Sequence, residues 1–201
     1  DPSGAFTTAA GMVAVTEKHL NDKFSKKLDK SNVVILGGTG PVGVASAVIC
    51  AKAGANVTLV GRSLEKAEKI AGICNDRYDS KNVKGGADAD KSDFFNVADI
   101  VLNTGAAGIQ LMSEEHIKNS NTLKICADTN AVPPSGIAGV DVMDNGKVID
   151  MSPSKCLGIG ALAIGNIKYK SQHECLKLMY TSEKPVYLDF EDAFKFAQKS
   201  V

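Results

Sequence analysis

The chain has 201 residues, 44% of them hydrophobic and 23% charged, a composition that suits one globular core and excludes disordered, collagen-like and low-complexity chains. Lys plus Arg and Asp plus Glu each number 23, so no net field gathers nucleic acid or anionic lipid, and neither is expected as a partner. No apolar run approaches the ~18 residues of a membrane span, and the N-terminus lacks the basic and apolar regions of a secretory signal, so the chain reads as soluble.

Small and apolar residues recur at helical spacing from Thr7 to Leu20, with Thr7 or Thr8 in position to cap the helix. A polar linker, Asn21 to Asn32, follows. Next come a strand at Asn32–Leu36, a helix at Val42–Ala53, a strand at Asn56–Val60 and a helix at Leu64–Tyr78 with Ser63 as its cap. Asp99–Asn103, Lys124–Ala127 and Val148–Asp150 read as short apolar strands, the first two separated by a helix around Ser113–Asn119. Two late segments, Gly160–Tyr180 and Phe190–Lys199, are helical, the second capped by Asp189. Strands that alternate with helices require crossover connections and a parallel sheet covered on both faces. The predicted class is therefore α/β: a doubly wound parallel sheet of Rossmann type with flanking N- and C-terminal helices. One domain is expected over 1–201, with 1–28 as connecting helix and linker and 160–201 as closing helices.

The five cysteines contain no Cys-x-x-Cys pair and have no histidine at zinc spacing. They read as reduced, mostly buried thiols, with no metal site, and fit a reducing cytoplasm.

The strongest chemical signal is the turn after the first strand. Gly38, Gly40 and Gly43, within Gly38-Thr39-Gly40-Pro41-Val42-Gly43, match G-x-G-x-x-G in the strand, turn, helix context that a dinucleotide site requires. The first glycine permits the turn, the second admits a pyrophosphate close to backbone, and the third lets the helix pack on the strand. The phosphates would lie at the positive end of the helix, and Pro41 suits its first turn because no N–H is lost there.

The end of the second strand selects the nucleotide. An NAD site would place an acid there against the ribose hydroxyls, whereas this sequence offers Arg62 and Ser63, with Lys66 one turn on. A forked cation, a hydroxyl and a second cation suit a 2'-phosphate, so the expected cofactor is NADP. Ser63 can serve as helix cap as well. Ligands of a doubly wound sheet lie outside the carboxyl ends of its strands. The small-residue turn Thr104-Gly105-Ala106 is expected to let ribose and nicotinamide approach backbone, and Asp128 and Asn130 to bring polar groups near the reacting ring. Lys168 and Lys170 face different directions on the late helix, so only one can reach a cleft. His19 and His116 read as surface or packing residues.

Asp1 to Ala10, the Gly37–Gly43 loop, Gly61 to Ser63, the Pro133–Gly139 turn and Leu157 to Lys170 together resemble the NADP-dependent methylene-tetrahydromethanopterin dehydrogenases. The discriminating stretches are Thr7-Thr8-Ala9-Ala10, Gly38-Thr39-Gly40-Pro41-Val42-Gly43, and Leu157-Gly158-Ile159-Gly160 followed by Lys168. The resemblance implies hydride transfer from a methylene-tetrahydropterin to NADP, giving the methenyl form, with methylene-tetrahydrofolate accepted by some members. It also implies two α/β domains with the pterin between them, of which this chain carries the nucleotide-binding one, the N-terminal pterin-side domain being absent from it. Lys168 matches the family's active-site lysine. A homo-oligomer is expected. The competing readings are a shikimate-dehydrogenase-like NADP enzyme and a non-enzymatic NADP-sensing module. A short-chain dehydrogenase is disfavoured, because Tyr180 and Lys184 keep the Tyr-x-x-x-Lys spacing but run at once into Pro185.

Overall fold

The structure, a computed structural model, describes residues 1–201. Fourteen elements follow one another: α1 (Ala5–Phe24), β1 (Asn32–Leu36), α2 (Pro41–Lys52), β2 (Asn56–Gly61), α3 (Leu64–Tyr78), β3 (Val83–Ala87), α4 (Lys91–Val97), β4 (Ile100–Asn103), α5 (Glu114–Asn119), β5 (Ile125–Asp128), β6 (Asn145–Val148), β7 (Leu157–Ile159), α6 (Ala161–Thr181) and α7 (Phe190–Gln198). The strands form one sheet in the order β3-β2-β1-β4-β5-β7-β6. All neighbours are parallel except β6, which runs against β7 at one edge. The order steps outward from β1 in both directions, so the crevice between the ends of β1 and β4 is the switch point where such sheets bind ligands.

Alternation along the strands divides the core. Val33, Ile35, Leu59, Ile100 and Leu102 join residues of α1, α2, α6 and α7 in the larger cluster. Val34, Leu36, Val60, Val101 and Cys126 face Phe95, Met112 and Ile117 on the other side. Strands buried on both faces explain the continuous β-branched and leucine runs in the sequence. No helix is long and apolar enough to cross a membrane.

The caps expected at Ser63 and Asp189 form, and Ser113 caps a third helix. Ser63 Oγ accepts from Lys66 N, Ser113 Oγ accepts from His116 N, and Asp189 accepts from the amides of Glu191 and Asp192. At α1 the capping group differs from the expected threonines: the Asp1 carboxylate accepts from Phe6 N at 2.8 Å and from Thr7 Oγ1 at 2.6 Å. That helix also runs four residues into the expected linker, to Phe24, before Ser25 turns left-handed at φ 51°. The expected strand at Val148–Asp150 is displaced. Its ladder uses Asn145, Lys147 and Val148, while Ile149 turns inward beyond it. Four of the five thiols are buried and all are free. Burial, followed by the charge of Glu17, pushes the Cys50 thiol up to about 12, so it packs as a small apolar group.

Candidate functional site

The carboxyl ends of β1, β2, β4 and β5 meet around the glycine turn. Gly37 stands at φ 65°, and a Cβ there would lie 2.6 Å from Gly105 Cα. The turns after β1 and β4 therefore touch backbone to backbone. The Leu36 carbonyl accepts both Thr104 N and Thr104 Oγ1 at 2.9 Å, which fastens the second turn to the first strand. Gly38 N donates to Val60 O at 3.0 Å, tying the loop to β2.

The three motif glycines do different things. A Cβ on Gly38 would meet Leu59 Cδ2 at 2.7 Å, and one on Gly43 would meet Gly38 Cα at 2.6 Å, so both are demanded by packing. At Gly40 the nearest atom would be Gly37 O at 3.6 Å, an ordinary contact. No protein atom requires glycine there; its absent side chain leaves space over the helix start. Gly40 is also the N-cap of α2 and carries no capping side chain, so the first amides of the helix, at Val42 and Gly43, are left for an anion. Pro41, at the first helical position, is exposed beside them. An empty lip above Gly40 and uncapped amides below it fit a pyrophosphate. A cleft of about 250 Å3 continues from Thr39, Gly40 and Pro41 to Phe6 and Phe190.

At the end of β2, Gly61 lets Thr39 lean onto the following turn: a Cβ there would meet Thr39 Cγ2 at 2.9 Å. Arg62, Ser63 and Lys66 are all exposed, and neither cation belongs to an ion pair. Two unpaired cations and a hydroxyl thus stand within a turn of one another beside the glycine loop.

Asp128 and Asn130 point the other way. Both are buried, and their polar atoms bond to the protein itself: Asp128 accepts from Asn103 Nδ2 at 2.8 Å and from Ile137 N at 3.0 Å, and Asn130 donates to Pro134 O at 2.8 Å. Their side chains hold loops, and β4 presents Asn103 directly across from Asp128. Asn103 is not among the residues expected from the sequence to bind the cofactor. A polar residue ending each of two neighbouring apolar strands is the signal that finds it.

Lys168 stands apart from this group. It lies where α6 crosses α1 so closely that a Cβ on Gly11 would be 2.9 Å from Lys168 N. Its side chain reaches the start of α1, where a Cβ on Gly4 would meet Nζ at 2.7 Å. It is partly buried and has no acidic partner among the ion pairs. Lys170 instead donates to Ser200 O at 3.3 Å. No set of His, Cys, Asp or Glu gathers to hold a metal ion.

The chain is 40% identical over 200 residues to the NAD(P)-dependent methylenetetrahydromethanopterin dehydrogenase of Methylorubrum extorquens, a match covering 98% of this chain and 67% of that protein. The chain belongs to the methylenetetrahydromethanopterin dehydrogenase family. A second relative from the same organism, the bifunctional protein MdtA, is 36% identical over 202 residues, covering 99% of this chain and 67% of that one. The chain thus spans about two thirds of the length of these family members. No family model matches the sequence. Among solved structures, quinate dehydrogenase from Corynebacterium glutamicum in complex with NAD superposes with a TM-score of 0.59 at 15% identity, over 98% of this chain and 62% of that one. That likeness speaks for the dinucleotide-binding fold alone. Membership places the chain among enzymes and sets aside the non-enzymatic reading; the first of these relatives is NAD(P)-dependent.

Proposed function

We infer that the chain takes up NADP in preference to NAD. In the complete protein it would serve the oxidation of methylene-tetrahydromethanopterin, or methylene-tetrahydrofolate, to the methenyl form. The observation that carries the nucleotide choice is the turn after β2, where exposed, unpaired Arg62 and Lys66 flank Ser63 and where Arg62, rather than an acid, directly follows the strand. A bound NADP supplies the hydride acceptor. The protein's own part is to hold and orient. The glycine loop, Gly38 to Gly43, receives the pyrophosphate on the uncapped amides of α2; Arg62, Ser63 and Lys66 receive the 2'-phosphate; Thr104, Gly105 and Ala106 admit ribose and nicotinamide.

Loss of hydride from a carbon flanked by two nitrogens leaves an amidinium-like cation whose charge both nitrogens share. No proton need move in that step, so the site requires positioning more than an acid or base. Lys168, partly buried and unpaired beside Gly4, suits the binding of polar pterin atoms at the start of α1. Contacts to the rest of the pterin would come from the part of the family's length that lies outside this chain.

Charge-assisted contacts of this kind are worth about 1.5–3 kcal/mol, roughly ten- to hundredfold in affinity. Arg62→Ala should therefore weaken NADP about that much and leave NAD within twofold in a calorimetric titration. Equal losses for both nucleotides would reject the assignment. In the complete two-domain protein, Lys168→Ala should lower turnover by about a hundredfold while NADP affinity stays within tenfold. Wild-type turnover in that variant would remove the lysine from the site.

A further inference from the structure

The ends of β4 and β5 are joined through side chains rather than through backbone alone. Asn103 and Asp128 are register partners on the two strands, and they are 0% and 1% exposed. Asp128 receives three donors: Asn103 Nδ2 at 2.8 Å and Asn130 N at 2.9 Å on Oδ1, and Ile137 N at 3.0 Å on Oδ2. Asn103 turns its own oxygen to Gly105 N at 3.1 Å. Asn130 extends the network, its oxygen accepting from Gly108 N at 3.3 Å and Val132 N at 2.9 Å. One carboxylate thereby orders the turn after β4 and the longer loop after β5.

We propose that Asp128 is a positioning residue that pins these two loops together and fixes the floor on which the nicotinamide end of the cofactor is held. The inference rests on the dinucleotide reading above. Its chemistry is specific to a carboxylate, because every partner of Asp128 is an N–H donor and only two acceptor oxygens with no donor of their own satisfy all three. An asparagine of the same shape turns an NH2 group against one of those N–H groups, and a site this buried offers no water to relieve the mismatch. The adenosine end depends on other contacts. Gly38 is held by Val60 O and the Arg62 turn by the Ser63 cap, neither of which involves Asp128.

The test uses the chain itself, titrated with NADPH and with adenosine 2',5'-bisphosphate, a fragment that carries the 2'-phosphate but no nicotinamide. Asp128→Asn should weaken NADPH about tenfold and leave the bisphosphate within twofold. In the absence of nucleotide, hydrogen exchange should quicken at the amides of Gly105, Gly108, Asn130 and Ile137 and stay unchanged at Gly38. Should that variant fail to fold, Asn103→Ser, which removes one donor to Asp128 and the acceptor of Gly105, carries the same expectations. Unchanged NADPH affinity, unchanged exchange in the two loops, or a bisphosphate affinity that falls in step with NADPH would each overturn the pin. A wild-type chain that binds neither compound would instead sink the dinucleotide reading itself, so the two failures are distinguishable.

Discussion

The ends of β1 and β2 and the ends of β4 and β5 lie side by side on the same edge of the sheet, yet they are shaped by opposite means. The first pair is shaped by what is missing: Gly38 and Gly43 allow backbone to pack on backbone, Gly40 leaves a gap, and the groups offered to a ligand are main-chain amides and exposed cations. The second pair is shaped by buried side chains, Asn103, Asp128 and Asn130, whose polar atoms bond to the protein itself. A backbone-built site has a rigid floor and its specificity sits in removable surface residues. A site held by a buried polar network has its weak points beneath the surface, where one wrong atom is felt by two loops.

The glycine loop gives the largest contrast within one motif. In Gly43→Ala the new methyl would sit 2.6 Å from Gly38 Cα and from Gly38 O. Backbone cannot yield as a flexible side chain can, so the variant should lose roughly 1–3 kcal/mol of stability, read from denaturant unfolding. Gly40→Ala should unfold within about 1 kcal/mol of the parent, because its methyl meets only Gly37 O at 3.6 Å. It should nevertheless bind NADP at least tenfold more weakly, since the methyl occupies the space left for the pyrophosphate. If the two variants lose stability equally, the division of labour among the three glycines is wrong.

How far each region could be read from the sequence follows the same division. The loop was legible because glycine is the one residue type that tight packing and open space both demand, and its spacing survives without knowledge of any partner. Ser63 and Asp189 were legible as caps because a cap acts on the next three residues of its own chain. Strand β3 was not, since Val-Lys-Gly-Gly-Ala offers no apolar run. Gly85 is there for close approach to α3, where a Cβ would lie 2.6 Å from the Ala67 carbonyl carbon. Strand β7 has three residues, too few to show a period, and α4 carries its one fully buried side chain, Phe95, in seven residues. At Asp128 the sequence disclosed a polar group at a strand end but not its direction. That direction depends on Asn103, 25 residues away, being placed opposite by the register of β4 and β5.

The amino ends of the same strands sharpen the comparison, because there a charged group holds strands together far from any nucleotide contact. Asp99, just before β4, accepts from Asn32 N at 3.0 Å and from Lys124 Nζ at 2.5 Å, with Lys26 at 3.6 Å. Burial alone would raise its pKa. The Lys124 hydrogen bond, the Asn32 amide and the charges of Lys124 and Lys26 outweigh that and hold the carboxyl below its ordinary value. A carboxyl depressed on folding adds stability that is fully present above the unfolded-state value, about 3.9, and is lost as pH falls from there through the folded value. Asp99→Asn should therefore cost about 1 kcal/mol at neutral pH, the low end for a pair that is only partly buried, and the gap to the parent should close as pH drops toward 3. NADP affinity should not move, in contrast to Gly40→Ala. Denaturant unfolding of both proteins across that pH range measures the gap; a difference that stays constant from pH 7 to pH 3 would show that Asp99 contributes through packing and the Asn32 bond rather than through its charge.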